Sequence, residues 1–490
     1  MTGRVNGLKN AAVDNMSRGI IDRVSAVLSA KALTLVASIA LNPILVRSLG
    51  QNVFGEYTYI KSIIGVLSIF VSVCIFDGLR KFLATKEGID HGLVYQFILL
   101  SIINISIVVF FIFITKFFFD FPETFDLITT VAIIFGLMVG QTILAFSQGL
   151  LMGTKREQAG ELMNTFREFG NRGFAILAGI AGLGVLGALI GHIVTFLIIL
   201  IFTVVLMWGT IQIKPHRIWD IDIDREVIYF SYSSVVFTLI MSSLYHIDIV
   251  LLRPEVGAPK TAEYKAALMI AEFVWFIPIG IQTVLVQSSS DIWENKGIED
   301  INLLVNKIMS YNMSYSILVA IGIAVLSKPF LGFYFGPQYR SASMALLILL
   351  PGALFFAIAR PLMAIGQGKG EMRVLMICTG LAAVVNLILN LLLIPRHGTI
   401  GAAVATSIGY GTMLLAHCIG AKVIGYKPLP EFPIYRLVLI SVVVGSVLYL
   451  IQNQLSGVTS FIIIPSIGFG LFTLLIHHAG IINLSEIRQS

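Results

Sequence analysis

The chain has 490 residues, of which 57% are hydrophobic and only 12% are charged. A soluble domain carries roughly 25% charged residues, and no water-soluble fold could bury this much apolar surface. The net charge of +6 comes without the dense basic block that a nucleic-acid-binding face needs. We therefore expect an all-α polytopic membrane protein with no nucleic-acid partner.

About 20 apolar residues are needed to cross a bilayer as a helix, and cutting the chain at clusters of charge, proline and glycine predicts about fourteen such spans. In chain order they cover residues 24–48, 56–83, 92–115, 126–152, 161–183, 186–209, 226–252, 264–290, 303–326, 341–365, 373–394, 399–421, 435–452 and 459–478. The fifth and sixth spans meet at a glycine-rich join, and the eighth ends in the polar stretch 287–291.

Basic residues set the orientation, because lysine and arginine are retained on the cytoplasmic side. Most of the 33 basic residues fall at span ends that share one membrane side. This predicts a multi-pass protein of the cell (inner) membrane with both termini in the cytoplasm. Residues 1–23 are polar and lack the apolar core and cleavage site of a signal peptide, so we expect a cytoplasmic segment followed by an anchoring first span.

An internal repeat organises the chain. The Gly, Glu and Tyr that follow the first span recur after the seventh at an offset of 207 residues, and a GxxGA motif at the join of spans five and six recurs between spans eleven and twelve at an offset of 214. Gly153 and Arg156 at the end of span four are likewise echoed by Gly366 and Lys369 at the end of span ten. The predicted structural turns are Gly50, Gly55, Tyr57, Gly187, Gly257, Tyr264 and Gly401.

The repeat offset covers six spans, so both copies enter the bilayer in the same direction, as in parallel repeats related by a pseudo-twofold axis along the membrane normal. We expect two six-helix lobes that face each other across a central cavity. The predicted segments are an N-lobe at 24–213, a cytoplasmic linker at 214–225, a C-lobe at 226–428, a C-terminal helix pair at 429–478 and a cytoplasmic tail at 479–490.

The six-plus-six-plus-two arrangement, the segment Arg47–Gly50 through Phe54–Tyr57 and the paired GxxGA joins resemble the polysaccharide (Wzx-type) flippases of the multidrug/oligosaccharidyl-lipid/polysaccharide exporter superfamily. The resemblance covers nearly the whole chain and implies a MATE-like fold with alternating access. It also implies a cargo of polyprenyl (di)phosphate-linked oligosaccharide. Cation exporters of this superfamily resemble one another in an acidic residue in the first span, whereas here that span has Lys31 and no carboxylate after Asp22, which favours an anionic cargo.

Charges within a bilayer are costly and mark candidate functional sites. The predicted cavity cations that would contact a lipid phosphate or an acidic sugar are Lys31, Lys61, Arg167 and Arg360. Lys31 and Lys61 could instead snorkel to the membrane surface, and Arg360, beside Pro361, could be an interfacial anchor. Arg172 and Glu168 are spaced i, i+4 and are expected to neutralise each other, which leaves Arg167 as the freer cation.

Two further groups are candidates for gating and ion coupling. Asp77, Arg80 and Lys81 close the second span, where they form either a cytoplasmic gate or an Asp77–Lys81 helix pair at i, i+4. A carboxylate or an imidazole buried in the membrane could carry protons, and the candidates are His246, Asp248 and Glu272. A satisfied polar group is the alternative for each. The coupling ion, where there is one, would be H⁺ or Na⁺, and no other cofactor is expected.

An enzyme is not expected, because GxxxxGK[ST], GxSxG and HExxH motifs do not occur, and the cysteines and histidines are not clustered as metal ligands. The predicted function is flipping of lipid-linked oligosaccharide to the outer leaflet, with membrane lipids, a polysaccharide polymerase and glycosyltransferases as partners. The alternatives are a small-molecule or drug antiporter, a lipid II-type flippase, and a membrane scaffold without transport.

Overall fold

The computed structural model describes residues 2–84, 91–115, 127–154, 156–207, 224–295, 297–455 and 457–481. Side chains are described from residue 38 onward, except at residues 84, 111–115, 127, 157, 158, 161, 237, 287 and 458. These ranges are helical and contain no strand, which confirms the all-α prediction. The α-helices are α1 (Thr2–Ala84), α2 (His91–Thr115), α3 (Leu127–Gly153), α4 (Glu157–Ile180), α5 (Gly184–Leu206), α6 (Arg225–Ala271), α7 (Phe276–Asn295), α8 (Ile298–Tyr334), α9 (Ser343–Gly368), α10 (Met372–Ile424), α11 (Ile434–Gln452) and α12 (Ser460–His478).

Three of the longest helices are each interrupted by one glycine. The backbone leaves helical geometry at Gly50 (φ 73°, ψ 169°) in α1, at Gly257 (φ 78°, ψ 172°) in α6 and at Gly398 (φ 54°, ψ −128°) in α10. Positive φ of this kind is open to glycine because it has no Cβ. Each interruption falls between two predicted spans, so one continuous helical run supplies both.

The described residues contain 10 helical stretches that are long and apolar enough to cross a membrane, judged by length and composition. Those that hold Gly257 and Gly398 each cover two of the predicted spans, and the one that holds Gly50 covers residues 38–48 of the first predicted span and all of the second. The fifth predicted span corresponds to α4, which is outside the 10 and whose sequence includes several charged residues. Every predicted span therefore coincides with a helical segment, and the protein is a multi-pass membrane protein.

The sequence repeat is matched by repeated local structure. Gly50 and Gly257 adopt nearly the same backbone angles, and the first glycine of each GxxGA motif, Gly184 and Gly398, has positive φ. Arg156 donates from Nη1 to the carbonyl of Leu206, the last residue of α5, at 3.0 Å. Its counterpart Lys369 donates to the carbonyl of Ile424, the last residue of α10, at 2.7 Å. In both copies a cation thus satisfies the negative end of the last helix.

Packing divides the chain into two compact units at Ala262 and Glu263. The N-unit is Thr34–Ala262, and the C-unit is Glu263–Ser490, with which Met1–Leu33 also groups. In the C-unit, α7, α8 and α9 share one apolar core with α11 and α12, so the appended helix pair is part of that unit. The predicted linker at 214–225 lies almost wholly outside the described residues, and the predicted lobe boundaries stay a prediction.

The segments that follow the glycine interruptions at Gly50 and Gly257 approach each other so closely that only glycine fits at residue 55. A Cβ added to Gly55 would overlap the carbonyl of Ala258, whereas one added to Gly322 in α8 would meet no atom within 4 Å. We expect Gly55→Ala to lower the free energy of unfolding by ~1–3 kcal/mol. Gly322→Ala is the control, and alanine's higher helix propensity should leave it neutral or slightly stabilised. Thermal unfolding in detergent measures both, and equal midpoints would contradict the close approach.

Candidate functional site

The N-unit gathers charged side chains from two helices, α1 and α4, into one cluster. We call Lys61 of α1, with Arg167, Glu168 and Arg172 of α4, the cationic cluster. His192 of α5 lies beside it and interacts electrostatically with Lys61 and Glu168. Because α4 and α5 are joined by the tight glycine turn at residues 182–184, they pack side by side and bring His192 back towards the α4 charges.

Glu168 holds one arginine on each carboxylate oxygen. Arg167 Nη2 lies 2.6 Å from Oε1, and Arg172 Nη1 lies 2.9 Å from Oε2. Arg172 also donates from Nε to Oδ1 of Asn42 in α1 at 3.2 Å. The predicted Arg172–Glu168 pair is confirmed, but the prediction that Arg167 is the freer cation is wrong. Although the two arginines leave the helix in different directions, both side chains are long enough to fold onto the same carboxylate.

Lys61 of the cluster and the neighbouring His192 both contact Tyr57. The Tyr57 hydroxyl and His192 Nε2 are 2.9 Å apart in a buried hydrogen bond, and Lys61 Nζ lies 5.8 Å from the centroid of the Tyr57 ring. Lys61 is exposed. Tyr57, predicted as a turn residue, is therefore also the partner that orients the histidine. Sequence reasoning missed His192, although a lone histidine in the very apolar α5 was the available signal.

The cluster carries three cations and one carboxylate. In the part of the chain that the structure describes, Nε of Arg167 and Oδ1 of Asn171 are buried without a hydrogen-bond partner. Partly buried positive charge in excess is costly unless an anion balances it. Guanidinium groups suit phosphate and carboxylate oxygens because their donors are planar and forked. The arrangement is therefore suited to receive an anionic group.

Arg360 supplies a cation in the C-unit. Its Nη1 donates to Oε1 of Gln282 at 2.7 Å, and its guanidinium carbon lies 4.4 Å from the ring centroid of Phe356 and 5.4 Å from that of Trp275. Such contacts stabilise a cation by ~0.5–2 kcal/mol. Its partners, among the residues with described side chains, are thus an amide and two aromatic rings, and whether it contacts cargo stays a prediction.

The predicted gate residues connect α1 to α6. Lys81 pairs with Glu226 at 3.8 Å and lies 4.0 Å from the ring centroid of Phe230, so the helix pair with Asp77 does not form. Asp77 instead accepts a hydrogen bond from Ser234 and interacts electrostatically with Arg80. Since the side chains of Lys81 and Glu226 are 43% and 70% exposed, this pair contributes little to stability. A gating role stays a prediction.

The candidate coupling residues belong to both units, with His246 and Asp248 in α6 of the N-unit and Glu272 in the C-unit. His246 packs against Gly65, where an added Cβ would lie 3.0 Å from its Nε2. Asp248 is 1% exposed, and its Oδ1 accepts the Ile249 amide at 2.8 Å. Glu272 begins the 3-10 helix Glu272–Trp275 in the C-unit. The side chain of Lys31 lies outside the described residues, so its role stays a prediction.

A further ion pair was not predicted. Arg253 of α6 donates from both Nε and Nη2 to Oε1 of Glu56 in α1. In the sequence, Glu56 stands out only as the glutamate of the repeated Gly, Glu and Tyr, and Arg253 is not among the candidate site residues. Their spacing of 197 residues leaves no local signal for the contact.

Comparison with known proteins finds a matching family model and several relatives. The MatE family model matches residues 234–392. An uncharacterized membrane protein, MJ1068, of Methanocaldococcus jannaschii is 30% identical over 187 residues, which is 38% of this chain and 37% of that protein. The probable low-salt glycan biosynthesis flippase Agl15 of Haloferax volcanii is 31% identical over 187 residues, 36% of this chain and 37% of that protein. The chain thus matches little more than a third of the length of these relatives.

The fold has a solved counterpart over nearly its whole length. The inward closed conformation of the lipid II flippase MurJ superposes with a TM-score of 0.74 at 14% identity, covering 92% of this chain and 98% of that one. This shows a MATE-like fold. The MatE match and these relatives support the exporter superfamily that the sequence resembles, and the named ones are flippases rather than catalytic enzymes.

Proposed function

We propose that this protein is a transporter that flips a polyprenyl (di)phosphate-linked oligosaccharide from the cytoplasmic to the outer leaflet of the cell membrane by alternating access. The observation that carries the proposal is the cationic cluster, in which Arg167 and Arg172 both pair with Glu168 and Lys61 adds a third cation. A drug exporter for cations would need the opposite balance of charge. The similarity to Agl15, a probable low-salt glycan biosynthesis flippase, supports a saccharide-linked cargo.

The chemistry of the cluster suits the phosphate of such a cargo. Arg167 and Arg172 are fixed by Glu168 and Asn42, so their positions are set before an anion arrives. Lys61 is exposed and supplies a flexible ammonium group that can follow the phosphate oxygens. Preorganised donors lose little conformational entropy on binding. An ion-coupled cycle through His246, Asp248 or Glu272, and assembly with a polymerase and glycosyltransferases, are further parts of the proposal.

Reconstituted vesicles test the proposal directly. Purified protein would be placed in liposomes with a polyprenyl diphosphate-linked oligosaccharide that carries a fluorescent sugar, and an impermeant quencher would report the label's leaflet. We expect the label to exchange between leaflets faster than in protein-free vesicles. A matched polyprenyl-linked saccharide without the diphosphate should not be flipped, because it offers the cluster no charge. Equal exchange of the two cargoes, or exchange no faster than without protein, would refute the proposal.

A further inference from the structure

An apolar groove of about 750 Å³ opens in the N-unit between α2, α3 and α5. It is lined by side chains between Ile98 and Ile105 in the middle of α2, by side chains between Thr142 and Leu150 in the second half of α3, and by side chains between Leu200 and Met207 at the end of α5. Because α2 starts at the membrane side where α3 and α5 end, all three sets lie in the same half of the membrane. With the predicted orientation, this is the cytoplasmic half.

The hydroxyl groups in the lining already donate hydrogen bonds within the protein. Ser101 Oγ donates to the Phe97 carbonyl at 2.6 Å, and Thr142 Oγ1 donates to the Met138 carbonyl at 2.9 Å. Ser147 Oγ donates to the Ile143 carbonyl at 2.6 Å, and Thr203 Oγ1 donates to the Ile199 carbonyl at 2.8 Å. Each hydroxyl is thus satisfied by its own helix, and the surface offered to an occupant is hydrocarbon. A hydrocarbon chain fits such a lining, whereas a polar solute would lose its hydration there.

A cation stands at the surface end of the groove. Arg156 is exposed and lies just beyond α3, and its Nη1 donates to the carbonyl of Leu206 and contacts Sδ of the lining residue Met207 at 3.5 Å. This places a guanidinium beyond the end of α3, directly next to the end of the apolar groove. The order of apolar groove followed by cation is complementary to a lipid with a hydrocarbon chain and an anionic phosphate.

We infer that this groove is a binding site for an anionic membrane lipid, whose chain occupies the groove and whose phosphate contacts Arg156. The site is separate from the cationic cluster: the groove residues of α5 lie at Leu200 and beyond, whereas His192 lies two turns earlier in the same helix. The lipid would be a resident of one leaflet, and it would hold α2 and α5 against α3.

Native mass spectrometry of the full-length protein tests the site. Protein would be extracted from vesicles of equal phosphatidylglycerol and phosphatidylcholine, and retained lipids would be counted. We expect the wild type to retain phosphatidylglycerol preferentially and Arg156→Gln to reduce that retention roughly tenfold, as for loss of one charged hydrogen bond. Lys369→Gln is the matched control, because it removes the equivalent contact with the end of α10 and should retain phosphatidylglycerol as the wild type does.

A second pair of variants tests the groove itself. Ile105→Trp places an indole in the lining and should abolish retention, whereas Ile107→Trp alters a 56% exposed residue on the same helix outside the lining and should not. Equal retention of the two lipids by the wild type would overturn the proposal. So would phosphatidylglycerol retention that survives Ile105→Trp, or that falls equally in Arg156→Gln and Lys369→Gln. None of these outcomes bears on flipping of the saccharide cargo.

Discussion

Lys61→Gln should lower the rate of cargo flipping roughly 10- to 100-fold while leaving the thermal unfolding midpoint close to that of the wild type. A hydrogen bond to a charged group contributes ~1.5–3 kcal/mol, and each 1.4 kcal/mol changes an equilibrium about tenfold. Because Lys61 is exposed, its replacement opens no cavity in the core. Glu168 keeps both of its arginines. The measurement is quencher accessibility of the labelled diphosphate-linked cargo in vesicles.

Two controls accompany this variant. Lys61→Arg keeps the positive charge and should restore most of the rate. Lys328→Gln removes an exposed lysine of α8 in the C-unit and should flip cargo at the wild-type rate. A Lys61→Gln protein that flips cargo as fast as Lys328→Gln would show that the cationic cluster does not bind the cargo. If Lys61→Gln lowered the thermal unfolding midpoint markedly as well as the flipping rate, Lys61 would have a structural role instead.

The helices and their turns could be predicted because their causes are local. About 20 apolar residues give a span, and a glycine between two such runs gives the turn, since Gly50 and Gly257 adopt backbone angles that other residues rarely reach. The repeat could be predicted for the same reason, because the equivalent glycines keep the same conformations. The positions of Arg156 and Lys369 just after a helix end could be predicted in the same way, but their contacts with Leu206 and Ile424, which span 50 and 55 residues, could not.

The charged contacts were only partly predictable because most of them join distant segments. The Arg172–Glu168 pair follows from i, i+4 spacing, but the contact of Arg172 with Asn42 spans 130 residues. The contact of Tyr57 with His192 spans 135. Helical spacing also gave a wrong prediction for Arg167, because the spacing sets the direction of the Cβ atom but not the position of the guanidinium at the end of a long side chain. Lys81 likewise pairs with Glu226 of another helix instead of Asp77 on its own.

Glu168→Gln should lower the stability of the protein clearly, because Glu168 pairs with both arginines of the cationic cluster. The carboxylate of Glu168 holds Arg167 at 2.6 Å and Arg172 at 2.9 Å, and its neutralisation leaves those two cations and Lys61 facing one another. Removing one partner of a fully buried pair costs about 3–5 kcal/mol. Because the Glu168 side chain is 30% exposed, solvent screening reduces the expected loss to ~1–3 kcal/mol. The unfolding midpoint in detergent or lipid nanodiscs measures it.

The matched control for Glu168→Gln is Glu226→Gln, which breaks the Lys81 pair whose side chains are 43% and 70% exposed and should cost no more than ~1 kcal/mol. Adding Arg172→Gln to Glu168→Gln removes one of the stranded cations, so the double variant should recover part of the lost stability, and the double-mutant cycle gives the coupling between the two residues. Equal unfolding midpoints for Glu168→Gln and Glu226→Gln would contradict the pairing of Glu168 with both arginines. Recovery of stability without recovery of flipping would assign Glu168 to holding the arginines in place, and would leave anion binding to the cations themselves.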